Sequence, residues 1–151
     1  MREEALSEIT LRKYEKPYNL NQRELAKKIC LSLGLLQDGD SRDVIVDIVI
    51  TLIEAKKKKQ ALSLEEIKNK VVRTREFYIL GSRGIADSNL RRQLRKLKDL
   101  FIVESESNLY KISEFESLEN LFEKKIEKFY IVSIVERIKE YLKELEKSGS
   151  E

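Results

Sequence analysis

The residues best equipped for chemistry with a nucleic acid fall in one stretch, residues 87–99, "DSNLRRQLRKLKD". Leu90, Leu94 and Leu97 recur there at spacings of four and three, so a helix would bury all three on one side. The opposite side then carries Asn89, Arg92, Gln93 and Lys96, flanked by Arg91, Arg95 and Lys98. Asn and Gln can bond adenine N6 and N7 together, and Arg can fork onto guanine O6 and N7, while Lys and Arg neutralise phosphates. Five basic residues stand against two acidic ones in these 13 positions. A solvated amphipathic helix in a chain that is 38% charged also carries Arg and Lys. The mixture of Asn, Gln and Arg on one face tips the reading toward DNA contact.

Other chemistry is poorly provided for. The chain has no His and a single Cys, Cys30, so neither a disulfide nor a Cys/His zinc site can be assembled, and no metal or cofactor is expected. Cys30 reads as a small buried hydrophobe. "GSRG" at 81–84 reads as a turn before a phosphate loop, and Asp38-Gly39-Asp40 lacks the spaced oxygen ligands of a calcium loop. The carboxylates are interspersed with Lys and Arg, as in surface ion pairs. An enzyme is not expected.

A chain of 151 residues supports one core with an appendage. Its Lys/Glu bias is of the kind seen in hyperthermophile proteomes. Residues 1–113 hold 23 Lys and Arg against 17 Asp and Glu, and residues 114–151 hold 7 against 10. A polyanion is drawn to the first part and away from the last. With no signal-peptide pattern and no apolar run of membrane-spanning length, a cytoplasmic protein without a membrane partner is expected.

The elements that must position the 87–99 helix follow from caps and periodicity. A short helix and then an extended connection are expected over residues 1–20. Asn21 and Glu24 form a capping box ahead of a helix over 22–33. The β-branched run from Ser41 reads as a helix over 42–58, with Asp47, Thr51 and Glu54 on its polar side and Lys56, Lys57, Lys58 and Lys59 at its C-terminal end. After an extended "QALS", Ser63 and Glu66 cap a helix over 64–73. Residues 74–86 form the connection to the 87–99 helix, which Asp87 or Ser88 caps. Two short strands, 101–104 and 109–112, are joined by a turn over 105–108. Ser113 caps a helical tail to about residue 146, in which Ile131, Val135, Ile138, Leu142 and Leu145 keep heptad-like spacing.

The order helix, extended segment, helix, connection, helix, hairpin over 43–113 resembles the winged helix-turn-helix superfamily of archaeal and bacterial transcription regulators. The likeness covers about half the chain and lies in pattern. It implies a mainly α fold with a small β-hairpin wing, an added N-terminal helical leader (1–42) and a long C-terminal helical tail (114–151). It also implies that 87–99 is the recognition helix and 101–113 the wing. The connection at 74–86 is longer than the tight turn of simpler members. The expected function is a homodimeric, duplex-DNA-binding regulator that pairs through the tail. The alternative is a non-catalytic adaptor for protein or structured RNA, favoured by the acidic wing residues Glu104 and Glu106 and by the leader.

Overall fold

The computed structural model describes residues 2–149. It is mainly helical with one small antiparallel sheet: α1 (Gln22–Ser32), α2 (Val44–Lys57), β1 (Leu62–Ser63), α3 (Leu64–Phe77), α4 (Asp87–Asp99), β2 (Val103–Glu106) and β3 (Leu109–Ile112). A tight turn at Ser113–Phe115 leads into α5 (Leu118–Leu121), a π-helical segment Phe122–Tyr130 and α6 (Ile131–Ser148). The sheet order is β1-β3-β2, with Leu62 opposite Tyr110 and Val103 opposite Ile112.

Both capping boxes read from the sequence are formed. The Asn21 side chain accepts from the Glu24 amide at 2.8 Å, and the Glu24 carboxylate accepts from the Asn21 amide at 3.2 Å. Ser63 and Glu66 repeat the exchange at 3.1 and 3.0 Å. Bonding to the Ser63 amide holds the Glu66 carboxyl below its ordinary range.

One core runs through the molecule. α2 supplies its centre with Val44, Ile45, Val46, Ile48, Val49, Leu52 and Ala55. Around it pack Cys30 of α1, Ile67 and Val71 of α3, the three leucines of α4, Ile112 of β3, and Leu121 and Ile126 from the base of the tail. Burial pushes the Cys30 thiol up to about 12, which leaves it a protonated, inert hydrophobe.

Several expectations need correction. Of the polar side of α2, Glu54 faces solvent but Asp47 and Thr51 do not. Asp47 is 1% exposed and Thr51 is buried, because Arg23 of α1 and Arg75 of α3 close over the carboxylate. Arg75 Nη1 donates to Asp47 Oδ2 at 2.7 Å and to Asp43 Oδ1 at 3.1 Å. Arg23 Nη1 donates to Asp47 Oδ1, and Arg23 Nη2 to Asp43 Oδ2 at 3.3 Å. Burial draws the Arg23 guanidinium down, but the bonds to Asp47 and Asp43 outweigh it and leave it above its ordinary value.

The leader's first stretch, residues 2–20, holds no helix. It runs extended along α1, with the Arg12 amide on the Ser32 carbonyl at 2.8 Å and the Arg12 guanidinium on the Leu31 carbonyl at 3.0 Å. Arg12 thus satisfies the carbonyls that α1 exposes at its end, which a leader helix could not reach. The helix expected over 64–73 continues to Phe77. The hairpin turn is shorter than expected: Ser107 and Asn108, both at positive φ (52° and 64°), make a two-residue turn whose twist suits the strands. Ser113 does not cap the tail. Glu114 and Phe115 have positive φ and break the chain direction, and Ser117 Oγ then accepts from the Asn120 amide at 3.1 Å.

The tail leaves the body with its apolar stripe uncovered. Ile131 is half-buried against the core, whereas Val135, Ile138, Leu142 and Leu145 are exposed, and no residue of α6 is buried. No helix of the described residues is long and apolar enough to cross a membrane.

Removing Asp47 would leave two guanidinium groups to share Asp43 alone in a partly dry site. Asp47→Ala is expected to lower the unfolding free energy by about 3–5 kcal/mol in urea denaturation. Alkylation of Cys30 should accelerate in step, because the thiol is reached through opening of the core. A loss below about 1 kcal/mol would mean that the cluster is solvated and not structural.

Candidate nucleic-acid interface

The α4 helix is held by Leu90, Leu94 and Leu97, each fully buried, and presents Arg91, Arg92, Arg95, Lys96 and Lys98 to solvent. Among the described residues none of these five cations makes a close ion pair, although Arg91 attracts Asp87 from farther off and ion pairs are common elsewhere on the molecule. Lys98 instead reaches the hairpin, where its Nζ donates to Ser105 Oγ at 2.8 Å.

The start of α4 differs from expectation. Neither Asp87 nor Ser88 caps it; the capping position is Ala86, which offers no side-chain acceptor. Asp87 is turned toward α3, where it pairs with Lys68 Nζ at 2.9 Å, and that bond holds its carboxyl below the ordinary range. The connection between the helices is therefore only the residues between Phe77 and Asp87, and it is pinned at two points. Arg75 Nε donates to the Gly81 carbonyl at 2.8 Å, and Asn89 Nδ2 donates to the Gly84 carbonyl at 2.7 Å. Gly84 has φ +87°, and a Cβ there would lie 3.0 Å from Asn89 Nδ2.

Asn89 is thereby committed within the protein. Its Oδ1 accepts from Arg92 Nη2 at 2.6 Å and from Gln93 Nε2 at 3.1 Å, so one half-buried amide ties the connection to two residues of the helix face. The sequence groups Asn89, Arg92 and Gln93 as equals, but the structure makes Asn89 the hub that orients the other two.

A second group was not legible in the sequence. Arg42, just ahead of α2, and Arg83, in the connection, come together with Arg92 around a concavity of about 570 Å³ walled also by Gly84, Ala86, Ser88 and Asn89. No carboxylate lines it. The three arginines stand at positions 42, 83 and 92, so no local pattern joins them. The hairpin contributes little positive charge. Glu104 pairs with Lys111 at 3.4 Å and accepts from the Glu114 amide at 3.0 Å, and the turn itself holds Ser107 and Asn108.

No family model, no curated protein and no solved structure matches this chain.

The hub makes a definite prediction. Gly84→Ala is expected to cost roughly 1–2 kcal/mol for the left-handed conformation alone. Asn89→Ala should release the connection with a smaller loss of about 0.5–1.5 kcal/mol. In both variants, amide exchange at residues 81–86 should quicken while α2 keeps its protection. Unchanged exchange at those amides would show that Asn89 does not hold the connection.

Proposed function

We propose that the protein is a winged helix-turn-helix DNA-binding protein, non-catalytic and dimeric, that lays α4 in the major groove of duplex DNA. The order α2, β1, α3, α4, β2, β3, with β1 paired to β3 at the edge of the hairpin, supports the winged-helix reading. The observation that carries the function is the convergence of Arg42, Arg83 and Arg92, with no carboxylate lining their concavity, at the N-terminal end of α4. Such a concavity suits a backbone phosphate, and Arg91, Arg95 and Lys96 continue the positive surface along the helix. Arg92 and Gln93, oriented by Asn89, are the base readers, and Asn89 acts through them. The hairpin, with Glu104 and Glu106, contributes no phosphate grip.

The exposed stripe of α6 supplies the dimer. Val135, Ile138, Leu142 and Leu145 keep heptad spacing over a helix that nothing covers, and a second copy of the same helix fits that spacing.

A second reading, an adaptor for protein or structured RNA, has one observation in its favour. Phe77, Tyr78 and Ile79 are 79%, 59% and 91% exposed beside the connection, an apolar patch that duplex recognition by α4 does not use.

Fluorescence polarisation against duplex DNA separates the two. The logarithm of affinity is expected to fall linearly with the logarithm of salt, with a slope of about −0.9 per neutralised phosphate. Arg42→Ala and Arg83→Ala should each flatten that slope by about one per subunit on any sequence. Arg92→Ala should cost roughly 1–3 kcal/mol on the preferred sequence, and Lys143→Glu in α6 should leave the slope unchanged. Absence of binding at about 50 mM salt, where phosphate contacts are strong, would overturn the DNA reading in favour of the adaptor.

Light scattering tests the assembly. A particle of twice 17.8 kDa is expected, and Ile138→Glu should halve it. A wild-type monomer at micromolar concentration would overturn the dimer.

A further inference from the structure

Apart from the arginine concavity, with which it shares no lining residue, lies a cavity of about 500 Å³. Its deep wall is Val49 of α2, Leu97 of α4 and Ile126 of the π-helical segment, all buried, and Phe122 closes one side. Its mouth is framed by Leu11 and Ile29, which are 48% and 47% exposed, so two large apolar side chains stand wet at the entrance to an apolar hole. The polar groups on the wall are few: Arg12, Ser32 and Glu119.

Size decides what kind of occupant fits. The cavity lies within the roughly 300–1,000 Å³ of small-molecule pockets. Charge decides its class. Arg12 gives its guanidinium bonds to the carbonyls of Leu31 and Leu36 and to Gln37, and Glu119 offsets it on the same wall, so an ion gains no net attraction there. Burying a charge against Val49, Leu97 and Ile126 would be costly. The deep wall is also the place where the helix widens to π geometry over Phe122–Tyr130, a rare form that recurs at functional sites.

We infer that this cavity is a binding site for an uncharged, carbon-rich small molecule, such as a medium-chain alcohol or a compact terpenoid or aromatic compound, seated between α4 and the base of the tail. The site stands apart from nucleic-acid binding, and its test contains none.

The test titrates the full chain with N-phenylnaphthylamine, a neutral fluorophore that brightens in apolar surroundings, and then displaces it with decanol. Saturable binding with decanol displacement is expected. Val49→Phe, which fills the cavity, and Ile29→Glu, which places a charge at the half-exposed mouth, should each weaken the probe by about tenfold or more, the equivalent of about 1.4 kcal/mol. Ile29→Glu lies at the surface, so it remains informative if Val49→Phe does not fold. Tyr141→Glu on the exposed surface of α6 should bind the probe as wild type does. Three results would overturn the site: no saturable binding, full binding by Ile29→Glu, or loss of binding in Tyr141→Glu alone, which would assign the probe to the α6 surface. Decanoate displacing the probe better than decanol would overturn the uncharged class.

Discussion

Two guanidinium groups and two carboxylates share one partly dry site between the helices, and the geometry of the body follows from it. Asp47 is sealed on α2 and cannot be solvated, so Arg23 must arrive from α1 and Arg75 from α3. That requirement sets where both helices cross α2. Arg75 also donates to the Gly81 carbonyl, so the charge that α2 buries reaches into the connection and helps set where α4 begins. An apolar replacement of the whole cluster could match its stability, since burying ions costs several kcal/mol each. It could not replace the directionality. A guanidinium fork accepts few arrangements of its partners, whereas leucines would tolerate a range of helix crossings.

The same accounting of charge distinguishes the two ends of the molecule. Toward the tail, cations sit beside acids, as in Lys124 with Glu116, Lys128 with Glu123 and Arg137 with Glu140. Around α4 the acids are drawn off: Asp87 is held by Lys68, and Glu104 by Lys111 and the Glu114 amide. Arginines left without acids on a folded surface repel one another mildly and keep a positive field in the solvent. Positioning Arg92 falls to Asn89, a neutral amide that can accept from it without cancelling its charge. An aspartate in its place would hold the fork as well and neutralise it.

What the sequence revealed follows the range of the physics involved. Capping boxes are local exchanges over three residues, and both were legible, as was the leucine register of α4. The buried Asp47 was misread because its polarity in a helical pattern points to solvent unless the distant Arg23 and Arg75 are known to meet it. The leader failed for a related reason: Arg12 is held extended by carbonyls at the end of α1, a demand invisible in residues 1–20. Arg42 and Arg83 escaped notice as site residues because only the tertiary fold brings them to Arg92. Asn89 was found, but its bond to the connection was not read, since its residue type suits base reading and loop anchoring equally well. The signal for anchoring was Gly84 five positions earlier, a residue that permits the close approach.

The tail poses a separate physical problem. At a rise of about 1.5 Å per residue, the 18 residues of α6 extend about 27 Å with no side chain buried. In proteins most helical stability comes from packing of an amphipathic face and not from propensity. The ion pairs Arg137 with Glu140 and Glu144 with Lys147 add only about 0.2–0.5 kcal/mol each. What starts the helix is its base, where Phe129 and Tyr130 meet Phe101 edge-on at 6.2 and 5.8 Å and Tyr130 exchanges hydrogen bonds with the backbone of Glu8. That anchor removes the cost of nucleation but does nothing for the residues beyond it. Val135, Ile138, Leu142 and Leu145 would each gain about 1.5–3 kcal/mol from full burial, several times what the ion pairs supply. In the proposed dimer, the outer turns of α6 would gain order from contact with a second apolar surface, and helix formation there would be coupled to association.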